Sequence, residues 1–210
     1  MDKYIFSLFD YTGNMVKPWV DNGYRAVLLD IQHPQGIERH GAITTIGGDI
    51  RESIKYLDVF PKPDMIFCFP PCTHFAVSGA RWWAGKGEEV LKEAKELVRA
   101  CFDIIDMHSH TPYMFENPVG RLKDFIGKPT FYFHPNEYGG YLQPAGDFYT
   151  KKTGIWCSPN FVIPTKKPVF PFEGSKMHRI PPSPDRANLR SATPMGFARA
   201  VYEANHLTKL

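Results

Sequence analysis

Apolar runs of four to six residues alternate with helix-spaced patterns along the first half of the chain. "YIFSLF" (Tyr4 to Phe9) is continuously apolar enough for a buried strand. "MVKPWVDNG" predicts a short helix closed near Gly23, with Pro18 delaying its start or bending it. "YRAVLLD" (Tyr24 to Asp30) reads as a second strand ending on an acid. "AITTIGGD" (Ala42 to Asp49) reads as a third, ending in glycines and another acid, and "DMIFCF" (Asp64 to Phe69) as a fourth. The clearest helix is predicted from Glu88 to His108. There Val90, Leu91, Ala94, Leu97, Val98, Cys101, Ile104 and Ile105 recur at helical spacing, with Lys and Glu between them. "TPYMFEN" (Thr111 to Asn117) is the fifth strand.

Strands that alternate with helices predict an α/β fold, a mostly parallel sheet with helices on both faces. In such sheets the ligand crevice lies outside the carboxyl ends of the strands. That rule gathers Phe9 to Gly13, Asp30, Asp49, Cys72 and Glu116 to Pro118 into one neighbourhood.

Past Gly127 the pattern changes. Residues 128–184 are rich in Pro, Gly and aromatics, with short β-like pieces such as "TFYFH" and "TGIWCS". Prolines at 159, 164, 168, 171, 181, 182 and 184 exclude long regular elements there. A closing helix is expected from Pro194 to about His206, with Thr193 as N-cap and Pro194 in the first turn.

Composition narrows the picture only a little. The 210 residues suffice for a single domain with a full core. The formal net charge of +3 permits a polyanionic partner without requiring one. No apolar run has the length of a membrane span, and "MDKYIFSLFD" lacks the pattern of a signal peptide. Four cysteines without a CxxC pair suggest free thiols in a reducing, cytoplasmic setting. The scattered histidines have no metal-site spacing, so no metal is expected.

The strand ends carry the candidate chemistry. Asp30 follows the first strand by about 20 residues, the spacing of a carboxylate that accepts from both ribose hydroxyls. A solvated turn acid reads equally well. After Phe9 comes "DYTGN", with Gly13 alone where a phosphate loop needs several glycines. That suits a nucleoside cofactor without a pyrophosphate, such as S-adenosylmethionine. Asp49, after Gly47 and Gly48, is either a helix-capping turn acid or a contact for adenine. Cys72 follows Pro70 and Pro71, which fix two φ angles and hold the loop extended. It is a stiffly presented nucleophile or a small buried hydrophobe. Cys68, Cys101 and Cys157 fit the buried reading. Glu116 ends the apolar "PYMF" run, where desolvation would raise its pKa and make it a proton donor near neutrality. It also reads as a surface cap.

Taken in order, these pieces resemble the cytosine-C5 DNA methyltransferases over most of the chain. "SLFDYTGN" is similar to the family's cofactor loop, "VLLD" to its ribose-binding acid and "GGDI" to its adenine-contacting motif. "FPPC" resembles the Pro-Cys nucleophile loop, "FENP" the Glu-Asn-Val motif and "RSATPMGFARAVYEAN" the region that closes the fold. The resemblance implies a Rossmann-like S-adenosylmethionine-dependent methyltransferase fold and DNA as partner. It implies that Cys72 attacks cytosine C6 while Glu116 holds and protonates N3. Phe9, Asp10, Gly13, Asp30, Asp49, Ile50 and Pro70 would serve the cofactor. Pro71, Asn117, Lys152, Arg186 and Arg190 would serve the substrate, and "THFAVSGARWWAGKG" (Thr73 to Gly87) would be a lid that meets DNA.

Two departures stand out. The family's Gln-x-Arg-x-Arg motif is reduced to "TKKTGIW". Thr150 stands for the glutamine, Lys152 for the first arginine and Gly154 for the second, with Arg186 or Arg190 as substitutes for the lost charge. Residues 158–190 are too few for the usual target-recognition domain. Lys166, Lys167, Lys176, Arg179, Arg186 and Arg190 in that stretch either track phosphates or form a solvated basic loop. The expectation is a minimal DNA cytosine-C5 methyltransferase of weak sequence specificity. Two other readings are an enzyme for free cytosine nucleotides or RNA, and a non-catalytic relative that only binds.

Overall fold

The computed structural model describes residues 2–72 and 87–206. Seven strands form one sheet: β1 (Tyr4–Leu8), β2 (Arg25–His40), β3 (Ile43–Gly47), β4 (Met65–Cys68), β5 (Tyr113–Pro118), β6 (Phe131–Phe133) and β7 (Thr153–Cys157). Their spatial order is β3-β2-β1-β4-β5-β7-β6. The pairs β1–β2, β1–β4 and β4–β5 are parallel, while β7 runs antiparallel between β5 and β6. The mostly parallel sheet is the one the sequence predicts.

Burial explains why these runs are strands. Ile5 to Leu8 and Met65 to Cys68 are all buried, so the central strands are covered on both faces, as a parallel sheet requires. One face packs α1 (Lys17–Val20) and α6 (Met195–Asn205), with Trp19, Phe67, Met114, Phe197 and Val201 in its core. The other packs α2 (Ile50–Ser53), α3 (Gly87–Met107) and α4 (Lys123–Ile126), with Phe6, Leu29, Val98, Cys101 and Phe115 in its core. Cys68 and Cys101 are both wholly buried in that second core, matching the apolar reading of these thiols.

Three features depart from the sequence expectations. First, β2 does not stop at Asp30. Ala26 to Asp30 pair with Ile43 to Gly47 in ascending register. Ile37 to His40 then pair with Ile46 to Ile43 in descending register, so the second half folds back along the far side of β3. The returning backbone lies against Gly47, where a Cβ would collide with the His33 and Pro34 carbonyls. The glycine is needed for that approach.

Second, Thr193 does not cap α6. Pro194 holds the N-cap position, and the Asp147 carboxylate accepts from the Gly196 N–H at 2.7 Å instead. A cap from outside the helix is invisible to a local pattern.

Third, the Pro-rich segment lies along the body. The Thr165 carbonyl accepts from the Tyr141 hydroxyl at 2.7 Å, and Val169 and Asn136 exchange bonds of 2.8 and 3.0 Å. Asn205 accepts from the Val162 N–H and donates to its carbonyl, each at 2.9 Å. After it, α5 (Arg186–Ser191) leads into α6. Among the described residues no helix is long and apolar enough to cross a membrane.

Candidate active site

A cleft of about 1140 Å³ opens at the carboxyl ends of the strands. Of the residues expected to serve a cofactor, Phe9, Asp10, Asp30, Asp49, Ile50 and Pro70 line it. Of those expected to serve catalysis or the substrate, Pro71, Cys72, Glu116, Asn117, Lys152 and Arg190 line it. Gly13 and Arg186 do not. The expected lid, Thr73 to Gly87, lies outside the described residues except for Gly87, the first residue of α3.

The loop after β1 is shaped by its own bonds. Phe9 adopts a left-handed conformation, φ 59°, and donates its N–H to the Leu29 carbonyl at 2.7 Å. The Asp10 carboxylate turns back into the loop, accepting from Ser7 Oγ at 2.7 Å, Gly13 N at 2.8 Å and Thr12 Oγ1 at 3.2 Å. Burial pushes its pKa above the usual carboxylate range, against those three donors and with the charge of Asp30 adding to the rise. Gly13, at φ 67°, closes the turn, and its work is conformational.

Asp30 is 7% exposed, and one carboxylate oxygen, Oδ1, accepts from the Gln32 N–H at 2.8 Å. It therefore faces the cleft as a carboxylate held at a strand end. Asp49 takes the capping role open to it. Its Oδ1 accepts from Arg51 N and Arg51 Nε at 2.9 Å each, and its Oδ2 from the guanidinium at 2.5 Å. These bonds to Arg51 hold its pKa below the usual range. Arg51 also reaches Glu96 at 3.3 Å and Glu93 at 3.7 Å. A held carboxylate, the apolar walls of Ile50, Phe69 and Leu97 and a tight loop without a multi-glycine phosphate cradle fit a nucleoside bearing no pyrophosphate.

The other half is built by β4, β5 and β7. Asn117 is 1% exposed and donates its amide to the Pro70 carbonyl at 2.9 Å, which ties the Cys72 loop to the end of β5. Glu116 lies across from Ile155, and Asn117 across from Gly154. Directly opposed residues share a face, and so do residues two apart. Thr153, and Lys151 just before the strand, therefore stand on Glu116's side. Burial raises the Glu116 pKa, opposed by Lys151 and then by the Thr153 hydroxyl. Burial also raises the Cys72 thiol, with the Glu116 charge adding to it and Lys151 and Arg190 opposing.

The register thus differs by one residue from the motif reading. Lys151 is the cation whose charge acts on both Glu116 and Cys72. Lys152 lines the cleft with its ammonium 4.9 Å over the Tyr132 ring. A side chain at Gly154 would be crowded: a Cβ there would lie 3.1 Å from Pro129 and 3.2 Å from the Trp156 ring. Lys151 is placed by the β5–β7 register, which the sequence does not specify. Arg51, Gln32 and Asn188 carried no sequence signal either, because their places depend on tertiary packing. Asn188 on α5 donates to Gln32 Oε1 at 3.0 Å, which ties α5 to the segment after Asp30.

The basic residues of the Pro-rich segment are mostly engaged with the protein itself. Lys166 pairs with Glu137 at 2.7 Å, Lys176 with Glu173 at 2.7 Å and Lys167 with Glu203 at 3.7 Å. Arg179 donates to the Glu173 carbonyl. Arg186 buries its Nε without a hydrogen-bond partner. Among the described residues, no group of three or more His, Cys, Asp or Glu side chains could hold a metal ion.

No family model matches the chain, and no curated protein matches it. Solved structures do. One is a presumed DNA modification methyltransferase encoded within a prophage of E. coli. It superposes with a TM-score of 0.50 at 12% sequence identity, over 80% of this chain and 53% of the other. The chain thus spans about half the length of that protein, and the likeness is one of fold. With the sheet order and the antiparallel β7, it identifies the architecture as a Rossmann-like methyltransferase fold.

Proposed function

We propose that this protein is an S-adenosylmethionine-dependent methyltransferase that modifies cytosine at C5 in DNA. The observation that carries the reading is the pairing of Cys72 and Glu116 in one cleft, braced by the Asn117–Pro70 bond, with the charge of Lys151 acting on both. The methyltransferase fold supports the general activity, and the structural neighbour's description supports DNA as substrate.

Asp30 would accept from the cofactor ribose, with Ile50 and Leu97 against its base. The bound cofactor supplies an electrophilic methyl group. Cys72, deprotonated under the influence of Lys151 and Arg190, forms a bond from sulfur to C6 of the ring. Glu116 gives its proton to N3 as electrons move onto C5, and C5 takes the methyl group. Water in the cleft then removes the C5 proton. Its electron pair restores the C5–C6 double bond, the C6–S bond breaks, Cys72 leaves as thiolate and the N3 proton returns to Glu116. A raised Glu116 pKa serves this scheme, because the carboxyl keeps its proton closer to neutrality.

The test is transfer of labelled methyl to cytosine-containing DNA, with Cys72→Ala as control, plus capture of Cys72 on 5-fluorocytosine DNA. Absence of transfer and of capture with cofactor bound would overturn the reading. The internal pairing of Lys166, Lys167 and Lys176 favours, as a second reading, a free cytosine nucleotide as substrate. A nucleotide that competes as well as an oligonucleotide would select it. The setting we propose is the cytoplasm.

A further inference from the structure

Two of the most exposed large apolar side chains sit in one stiff hexapeptide, "VFPFEG". Phe170 is 80% exposed and Phe172 67% exposed. Pro168 and Pro171 restrict the backbone around them, so they are held out instead of folding into the core. Phe172 stacks on Phe148, with ring centroids 4.6 Å apart at 28°.

This aromatic step is continuous with the cleft. Glu173 N donates to the Phe148 carbonyl at 3.0 Å and Thr150 N to the Gly174 carbonyl at 2.8 Å, while Tyr149 and Gly174 form a bridge. The two segments therefore run side by side from the Phe148–Phe172 stack to Thr150 and Lys151 on one and Ser175 and Met177 on the other, all four of which line the cleft. Two to three extended residues cover about 7–10 Å, which is the rise of two or three stacked nucleotides at about 3.4 Å each.

We propose that the Phe148–Phe172 stack and Phe170 form a stacking platform for unpaired nucleobases next to the target, so that the preferred substrate is single-stranded nucleic acid. This rests on the reading of the cleft as a site for a nucleic-acid base. Three features select this occupant. The exposed groups are aromatic faces, which any base can cover. Lys151, Lys152 and Arg190 in the cleft give the path a cationic end suited to phosphates. Lys166 and Lys167, cations of the neighbouring Pro-rich segment, are paired with Glu137 and Glu203. A duplex also hides its base faces from such a platform.

The experiment uses the whole chain without cofactor, and oligonucleotides that carry 2-aminopurine beside one cytosine. Single-stranded oligonucleotide is expected to bind at least about tenfold tighter than the duplex, with the fluorescence quenched by stacking. Phe170→Ser and Phe172→Ala are expected to weaken single-strand binding about ten- to a hundredfold. Phe172→Tyr, which keeps the stack on Phe148, is expected to restore it. Affinity for a free cytosine nucleotide should stay unchanged in all three. Equal binding by wild type and variants, or tighter binding of the duplex, would overturn the proposal. So would a concentration-dependent dimer that Phe170→Ser dissociates, because it assigns the patch to a second copy. Stacking is read without turnover. Lost 5-fluorocytosine capture with intact stacking condemns the cytosine chemistry alone, and the converse condemns only the platform.

Discussion

The Asn117 side-chain amide donates to the Pro70 carbonyl at 2.9 Å, and that buried bond ties the loop that carries Cys72 to β5, the strand that carries Glu116. Of the two groups of the proposed reaction, Cys72 sits in the loop after β4 and Glu116 on β5, so their mutual placement depends on such ties. Asn117→Ala leaves the Pro70 carbonyl without its donor, at a cost of about 1–3 kcal/mol in stability. A shift of about 1 Å in a reacting group costs about a hundredfold in rate. The expected outcome is a large fall in kcat with cofactor affinity unchanged, measured by methyl transfer and by cofactor titration. Loss of cofactor binding in parallel with kcat would mean that Asn117 merely supports the fold.

Lys151 and Lys152 are adjacent in sequence and serve different faces. Lys151 opposes the upward shifts of both Cys72 and Glu116, so removing its charge must raise both further. For Cys72 the sign is simple: a thiolate that loses a neighbouring cation forms at higher pH. The pH dependence of Cys72 alkylation by iodoacetamide should lie above the ordinary thiol range in wild type. It should move higher in Lys151→Met, return in Lys151→Arg and stay in place in Lys152→Met. An equal shift from Lys152→Met would contradict the register derived from the β5–β7 ladder.

That register shows what the sequence could and could not yield. The strands, the helix α3 and the gathering of Asp30, Cys72 and Glu116 at one sheet edge follow from apolar periodicity and the connection rules of parallel sheets. The motif reading matched residue types along the line of the chain and so chose Lys152. Strand pairing chose Lys151, because only side chains of like parity reach Glu116. The folding back of β2 was illegible because "IQHPQGIERH" has neither apolar alternation nor the usual hairpin signal. It is held by the close approach of the His33 and Pro34 carbonyls to Gly47, a tertiary contact. For Lys166 and Lys167 of the Pro-rich segment the sequence leaves open phosphate tracking or a solvated loop. Their acidic partners Glu137 and Glu203 lie 29 and 36 residues away in sequence, beyond any local pattern.

Asp30 and Asp10 are both buried acids that line the cleft, with different expected roles. Asp10 spends its carboxylate on Ser7, Thr12 and Gly13, whereas Asp30 spends one oxygen on Gln32 and borders the cleft. Asp30→Ala should therefore weaken S-adenosylmethionine binding about ten- to a hundredfold, the worth of hydrogen bonds to a charged group, with little change in folding. Asp10→Ala should unfold the loop and lower stability. Asp10 has a folded pKa raised above its unfolded value, so the native state holds its proton longer. Stability contributed by that proton falls as pH rises from the usual carboxylate range through the folded pKa. Urea titrations from about pH 4 to pH 8 should show a smaller loss in Asp10→Asn than in wild type. Isothermal titration with cofactor separates the two acids.

Asp147 reaches across 49 residues to the start of α6, where its carboxylate accepts from the Gly196 N–H at 2.7 Å. The helix packs its Phe197 ring against Phe133 at 4.0 Å, so a frayed first turn would loosen the core on that face. Asp147→Ala removes the acceptor and should cost about 1 kcal/mol, within the usual range for an N-cap. Thr193→Ala should cost less, since the Thr193 hydroxyl plays no part in the cap and its backbone carbonyl still accepts from Asn14. Asp147→Asn is the informative variant. It keeps an oxygen acceptor for Gly196 while shedding a charge whose burial raises the carboxyl pKa. The native state binds that proton more tightly than the unfolded chain, so wild-type stability declines as pH climbs through the folded pKa. Asp147→Asn should then match wild type in acid and exceed it at neutral pH, while Asp147→Ala stays below both. Denaturant midpoints at two pH values decide the matter. An asparagine variant as unstable as the alanine one at both would show that the charge itself, acting on the helix dipole, is what holds α6 in place.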